Sequence, residues 1–247
     1  MSKDAPAPRI SLVIPAYNEA AFLPKLLDTV AAARGRYDAG PSAVEVIVAD
    51  NMSTDGTGAL AQSLGCRVAT VERRRIAAAR NGGAAIARGE ILAFTDADMQ
   101  IHPETFNAID AALARPRVVG GATGVTLDRW SVGITVTYLA MLPLVWITNM
   151  DTGVVFCRRA DFATIGGYDD RRYFAEDVVF LWALKRLGRA RGQRLTRLRP
   201  VKAIASTRKF DRYGDWHYFT SMLKAAVMWW RPFEANDFVR KYWYEDR

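Results

Sequence analysis

An α/β fold, with a mostly parallel sheet covered by helices on both faces, is the architecture this 247-residue chain predicts. Three observations point to it. Short apolar runs alternate with stretches whose apolar residues recur at helical spacing. The runs are continuous rather than alternating, as strands buried on both faces read. Three polar clusters follow directly after three of those runs, at the strand ends where open α/β sheets hold ligands.

The elements follow in chain order. Ile10 to Ile14 is an apolar run closed by Pro15, and Phe22, Leu23, Leu26, Leu27 and Val30 then fall on one helical face. Val44, Val46 and Val48 mark a second strand that ends at Asp50. Ser53-Thr54-Asp55-Gly56 supplies capping residues for a helix through Leu64. Arg67 to Glu72 reads as a third strand, and Ile76 to Arg88 as an Ala-rich helix interrupted by Gly82-Gly83. Glu90 to Thr95 is a fourth strand, ending at Asp96-Ala97-Asp98. Pro103 suits the first position of the next helix, whose inner face is Phe106, Ile109 and Leu113. His102 belongs to that helix start.

Composition narrows the class. Hydrophobic residues make up 50% and charged residues 24%, a folding composition that excludes a disordered chain. The formal net charge is +8. From Lys185 to Arg212 there are eleven Lys or Arg against the single acid Asp211, so the rest of the chain is slightly acidic. Cys66 and Cys157 stand far apart without partners, which argues against a disulfide framework or a structural zinc site and suits a cytoplasmic protein. Met1 to Arg9 carries no apolar run, so it does not read as a signal peptide.

The polar clusters carry the chemistry. They are Pro15-Ala16-Tyr17-Asn18-Glu19, Asp50-Asn51 and Asp96-Ala97-Asp98. Carboxylates at the spacing of Asp96 and Asp98, on a loop leaving a strand, can share a hard divalent cation with a ligand's phosphates. A turn with a helix cap is the plain alternative. Glu176 and Asp177 open a helix whose inner face includes Phe180, Leu184 and Leu187. There the plain alternative is acids complementing a helix dipole.

Taken together and in order, Ile10-Ser-Leu-Val-Ile-Pro-Ala-Tyr-Asn-Glu19, Val48-Ala-Asp-Asn-Met-Ser-Thr-Asp-Gly-Thr57, Ala79-Arg-Asn-Gly-Gly83, Phe94-Thr-Asp-Ala-Asp98, Gly166-Gly-Tyr-Asp169 and Ala175-Glu-Asp177 resemble glycosyltransferase family 2 over residues 9–190. The resemblance implies a GT-A fold, a nucleotide-sugar donor (UDP ahead of GDP), Mg²⁺ or Mn²⁺, and inversion at the anomeric carbon. It implies that Pro15, Ala16, Tyr17, Asn18, Glu19, Asp50 and Asn51 hold base and ribose, and that Arg80 meets the donor region or diphosphate. A solvated arginine or an ion pair with Asp55 is the alternative for Arg80. Asp96 and Ala97 would face the ribose and metal side, and Asp98 would bind the metal. Asp177 would be the general base, with Glu176 shaping the acceptor site. His217 could complete the metal shell or simply be a packed residue. Asn51-Met52 departs from the Asp-Gly frequent in the family.

The same assignment bears on Trp130 to Met150, 21 residues without a charge, long enough to span a bilayer. A single span would set Asp98 and Asp177 on opposite sides of the membrane, so a buried helix pair is the expectation and a shallow interfacial dip the alternative. Residues 1–190 then form the catalytic domain, with a nucleotide-binding half over 9–98 and an acceptor half over 99–190. Residues 191–247 form a basic, aromatic, helical extension packed on the same domain. Its aromatic spacing (Trp216, Phe219, Leu223, Val227, Trp230) suits core packing, an interfacial helix, an acceptor lid or contact with a second copy. No Gln-x-x-Arg-Trp motif is present, so transfer of a single sugar to the hydroxyl of a glycan, lipid or small molecule is expected over polymer synthesis. A polyprenyl-phosphate acceptor at the inner face of the membrane and a non-catalytic nucleotide-sugar-binding module are the alternatives. No motif supports nucleic-acid binding.

Overall fold

The computed structural model describes residues 7–148, 150–171 and 176–220. Its first half is the expected alternation. Strand β1 (Ile10–Ala16) leads to helix α1 (Leu23–Gly35), then β2 (Val44–Asp50), α2 (Thr57–Ser63), β3 (Arg67–Thr70), α3 (Ile76–Ala85), β4 (Ile91–Phe94), the short β5 (Met99–Gln100) and α4 (Thr105–Leu113). The second half runs β6 (Val118–Leu127), α5 (Val132–Thr148), β7 (Val155–Arg158), α6 (Arg159–Ile165), α7 (Glu176–Ala190), β8 (Arg194–Ala205) and α8 (Arg208–Tyr213).

The strands form one sheet in the order β3-β2-β1-β4-β7-β6-β8-β5. β1, β2, β3 and β4 pair in parallel. β7 then runs antiparallel between β4 and β6, β8 returns parallel to β6, and β5 is antiparallel to β8. Six of the eight described strands therefore run the same way, so the sheet is mostly parallel as expected, with β7 and β5 reversed. Chain order reverses between β1 and β4, the kind of switch point where α/β sheets open a crevice.

Alternation along each buried strand feeds a core on either face. Ile10, Leu12 and Ile14 join Leu23, Leu26, Phe106 and Ile109 on one side. Val13, Ile47, Leu92 and Phe94 join Ala77, Ala84, Phe180 and Leu184 on the other. Gly82 and Gly83 do not interrupt α3, contrary to the sequence expectation. A Cβ at Gly83 would overlap Val13 and stand 3.3 Å from Ala49 Cβ, so glycine lets the helix settle directly on β1 and β2. At the strand starts, away from the switch point, buried Glu45 accepts hydrogen bonds from Ser11 Oγ, Arg67 and Arg88. Burial pushes its pKa up, but those donors outweigh it and hold the carboxyl below its ordinary range.

Two expectations are corrected. Trp130–Met150 is not a buried helix pair: it contains one helix, α5, and that helix leaves Val132 75%, Trp146 67% and Ile147 82% exposed. The stretch beyond residue 190 does not begin as a helical extension: Arg194–Ala205 is a strand paired with β6 and β5, so the boundary expected there falls inside the sheet. Its arginines hid the strand, because a half-exposed strand carries its cations on the open face. Of the apolar positions noted there, Leu223, Val227 and Trp230 lie outside the described residues. No described helix is long and apolar enough to cross a membrane.

Candidate active site

The C-terminal ends of β1 and β4 open into a cleft of about 470 Å³, in the range of small-molecule sites. Pro15, Ala16, Tyr17 and Glu19 line it from β1 and its loop, Asn51 from the end of β2, and Asp96, Ala97 and Asp98 from the exit of β4. Glu176 and Asp177 enter from the first turn of α7, and Arg208 and Lys209 from α8.

Asn18 and Asp50 act as pins rather than lining the cleft. Asn18 adopts a left-handed backbone (φ 53°) that an Asx side chain tolerates, and its Oδ1 accepts the Thr54 amide at 2.9 Å. Asp50 accepts the Ser53 amide at 3.0 Å. Asn51 shapes the floor, donating from Nδ2 to the carbonyls of Val71 and Arg73 at 2.7 Å each.

The structure sets Arg80 behind the cleft wall, paired with its carboxylates. Its side chain is only 4% exposed and its charge is already engaged. Nη2 lies 2.8 Å from Asp96, and Nη1 lies 2.9 Å from both Glu176 and Asp177. The alternative partner, Asp55, instead accepts the Ala20 and Thr57 amides. The guanidinium stands 5.1 Å from the centroid of the Tyr168 ring, which stacks on Phe180 at 4.2 Å.

The neighbouring Asn81 ties this arrangement to the Gly166-Gly167-Tyr168 turn. It donates to the Tyr168 carbonyl at 2.8 Å and accepts the Tyr168 amide at 2.9 Å. Gly166 and Gly167 carry positive φ of 79° and 73°, which favours glycine at both positions. Two motifs far apart in sequence thus form one hinge of hydrogen bonds beneath the carboxylates.

Asp177 is the perturbed group. Burial raises its pKa to about 7; Arg80 pulls it down, and the Glu176 and Asp96 charges push it up. Its side chain remains 20% exposed, on the cleft wall.

Arg208 went unforeseen in the sequence. It forks onto Glu19, with Nη1 and Nη2 at 2.8 and 2.6 Å from the two carboxylate oxygens, and its Nε stands 2.9 Å from Asp98. Its guanidinium also sits 4.6 Å from the Phe22 ring centroid. The excess of cations over 185–212 announced that arginines were available. Which one crosses 189 residues to Glu19 is set by the docking of α8 and could not be read from spacing.

The cleft's side-chain donors are mainly carboxylate oxygens, the ligand type that hard divalent cations take. Among the described residues, five carboxylates line the cleft (Glu19, Asp96, Asp98, Glu176, Asp177) against Arg208, Lys209 and the underlying Arg80, a balance of two negative charges. Asp96 is 50% exposed and Asp98 20%, both on the cleft wall. Among the described residues no group of three or more His, Cys, Asp or Glu could by itself hold a metal ion. His217 does not line the cleft. Its ring stacks on Tyr213 at 4.9 Å.

A parallel β1–β4 unit, an antiparallel β7 and a carboxylate-lined switch-point cleft define a GT-A-type α/β fold. Residues 11–144 match the model of Glycosyl transferase family 2, and the chain belongs to that family. It is 37% identical over 115 residues to a validoxylamine A glucosyltransferase of Streptomyces hygroscopicus subsp. limoneus, across 44% of this chain and 24% of that protein. The chain therefore spans about a quarter of that relative's length. Among solved structures, S. aureus TarS 1-349 superposes with a TM-score of 0.63 at 20% identity, covering 80% of this chain and 60% of that one. Glucosyl-3-phosphoglycerate synthase of Mycobacterium tuberculosis, in complex with Mn²⁺, UDP and glucosyl-3-phosphoglycerate, superposes at 0.59 with 23% identity over 84% and 75% of the two chains. Both structural likenesses speak to the fold.

Proposed function

We propose that the chain transfers one sugar from a nucleoside-diphosphate sugar, UDP ahead of GDP, to an acceptor hydroxyl with inversion, and that Asp177 is the general base. The acceptor oxygen attacks the anomeric carbon as the bond from that carbon to the diphosphate oxygen breaks. The hydroxyl proton passes to Asp177, and the nucleoside diphosphate leaves.

The observation that carries this reading is a carboxylate with a pKa near 7, on the wall of a cleft that also presents the Asp96–Asp98 pair. At that value a base is substantially unprotonated at neutral pH yet basic enough to take a proton in the transition state. Asp98 and Asp96 would hold Mg²⁺ or Mn²⁺. When bound, that ion would supply charge stabilisation for the departing diphosphate. The donor's base and ribose would lie along Pro15–Tyr17 and Asn51. Tyr17 offers an aromatic face there, with the Arg74 guanidinium 4.2 Å from its centroid. Arg208 and Lys209 bring positive charge to the same wall.

The test is a pair of variants assayed against UDP- and GDP-sugars with Mn²⁺. Asp177→Asn should keep nucleotide affinity and lose roughly 10²–10⁴-fold in turnover, the usual contribution of a positioned base. Asp98→Ala should abolish the metal-dependent part of UDP binding in calorimetry. Unchanged turnover in Asp177→Asn removes the base assignment.

A further inference from the structure

Large apolar side chains are exposed on this molecule in an uneven way. Of eleven among the described residues, nine fall in 130–147, at Val178 and Trp182 of α7, or at Trp216. These segments adjoin one another. A Cβ at Gly133, in the first turn of α5, would stand 2.9 Å from the Asp215 carbonyl, which brings the Trp216 loop to the start of that helix. At the other end, Lys185 donates from Nζ to the Thr148 carbonyl at 3.0 Å, and the same ammonium lies 4.9 Å from the Trp182 ring centroid. Midway along α5, Met141 lines the cleft that contains Asp177. The apolar face therefore borders the cleft.

An exposed face of this extent needs a cover, because leaving it in water forfeits about 25 cal/mol for each Å² of apolar surface. Its chemistry indicates which cover. Residues 130–150 contain no charged side chain, as suits hydrocarbon contact. Trp130, Trp146, Trp182 and Trp216 are 42–67% exposed around it, the residue type that settles at the boundary between acyl chains and headgroups. On α7, Lys185, Arg186 and Arg189 follow Trp182 at helical spacings of three, four and seven. The exposed side thus passes from apolar to cationic along one helix. Beyond them the cationic excess continues to Arg212. A tryptophan-ringed apolar face with cations along one border is complementary to an anionic bilayer surface rather than to a neutral protein groove.

We propose that α5, with Trp182 and Trp216, docks the molecule onto an anionic phospholipid bilayer, with the cleft opening beside the lipid so that the acceptor is carried on an apolar tail. The docking stands on the surface alone. The statement about the acceptor rests on the transferase reading above.

The experiment is flotation of the full chain with phosphatidylcholine vesicles, with and without phosphatidylglycerol, at low and high salt. UDP–Mn²⁺ calorimetry is run on the same samples. The chain should co-float with phosphatidylglycerol vesicles at low salt. Trp146→Glu combined with Ile147→Glu should reduce the bound fraction about tenfold or more. Arg186→Glu combined with Arg189→Glu, which leaves the apolar face intact, should weaken binding about fivefold per cation lost. Both double variants should keep the wild-type melting temperature and UDP affinity, since their side chains are exposed and away from the cleft. Failure of the wild type to float at low salt overturns the docking, as does equal flotation of the Glu variant. A concentration-dependent dimer that the Trp146→Glu/Ile147→Glu variant dissolves also overturns it, assigning the face to a second copy. Vesicle binding with no UDP–Mn²⁺ binding in the calorimetry would sink the transferase reading and leave the docking standing.

Discussion

Arg80 shows how one side chain organises the site. Its guanidinium compensates Asp96, Glu176 and Asp177 together, from a position 4% exposed. Buried charges are tolerable only while they are compensated, and removing the one cation of this set strands its carboxylates at a cost of about 3–5 kcal/mol. Arg80→Gln should therefore lower the unfolding free energy by about that amount in urea titration. It should also move the pH–rate profile upward, because the attraction that restrains the Asp177 pKa is gone while Glu176 and Asp96 remain. Arg80→Lys keeps the charge but not the fork, and should recover part of the stability while leaving turnover reduced. A pH profile unchanged in Arg80→Gln would mean that Arg80 does not set the base. The sequence made Arg80, Asp96 and Asp177 legible as members of an ordered motif set. It did not reveal that Arg80 pairs with all three carboxylates, since that depends on α3 and α7 meeting across 96 residues. Arg208 was illegible for the same reason.

At the scale of elements, legibility followed periodicity. β1 to β4 and α1 to α4 were read because continuous apolar runs and helical spacing are local properties. β6 was not, since Val118-Val-Gly-Gly-Ala-Thr-Gly carries three glycines, a residue that weakens a strand and reads as loop. The structure gives the reason for one of them. A Cβ at Gly121 would overlap the Thr196 carbonyl of β8, the strand that pairs with β6 in parallel. Gly121→Val should thus push the two strands apart and destabilise by about 3 kcal/mol or more, the upper range for overpacking against backbone. Gly35→Ala is the matched control. Nothing lies within 4 Å of its Cβ position at the end of α1, so it should be neutral or add up to about 1 kcal/mol. The urea midpoint should fall in Gly121→Val and stay level or rise in Gly35→Ala. α5 was misread for a different reason: an apolar run does not say whether protein or something else covers it.

For the whole molecule, the charge distribution couples stability to activity in opposite directions. The excess of +8 lies toward the second half, while among the described residues the cleft gathers five carboxylates around three cations. Asp177 carries the consequence. In the unfolded chain its pKa is that of an ordinary aspartate, about 3.9, and in the fold it is about 7. Between those values the native state holds a proton that the unfolded state has released, so stability falls as pH rises through that window. The penalty is absent below the unfolded value and complete once pH passes the folded one. Its full size is of order 1–4 kcal/mol, limited by the partial exposure of the carboxyl to the cleft. Activity should run the other way, with kcat/KM rising as Asp177 ionises near pH 7. Asp177→Asn has no proton to lose, so it should be more stable than the wild type, by a margin that grows from pH 5 to pH 8. Urea unfolding of both proteins at those two pH values measures that margin. A margin that does not change with pH would show that Asp177 ionises in the fold as it does in the open chain, and the activity rise near pH 7 would then need another group.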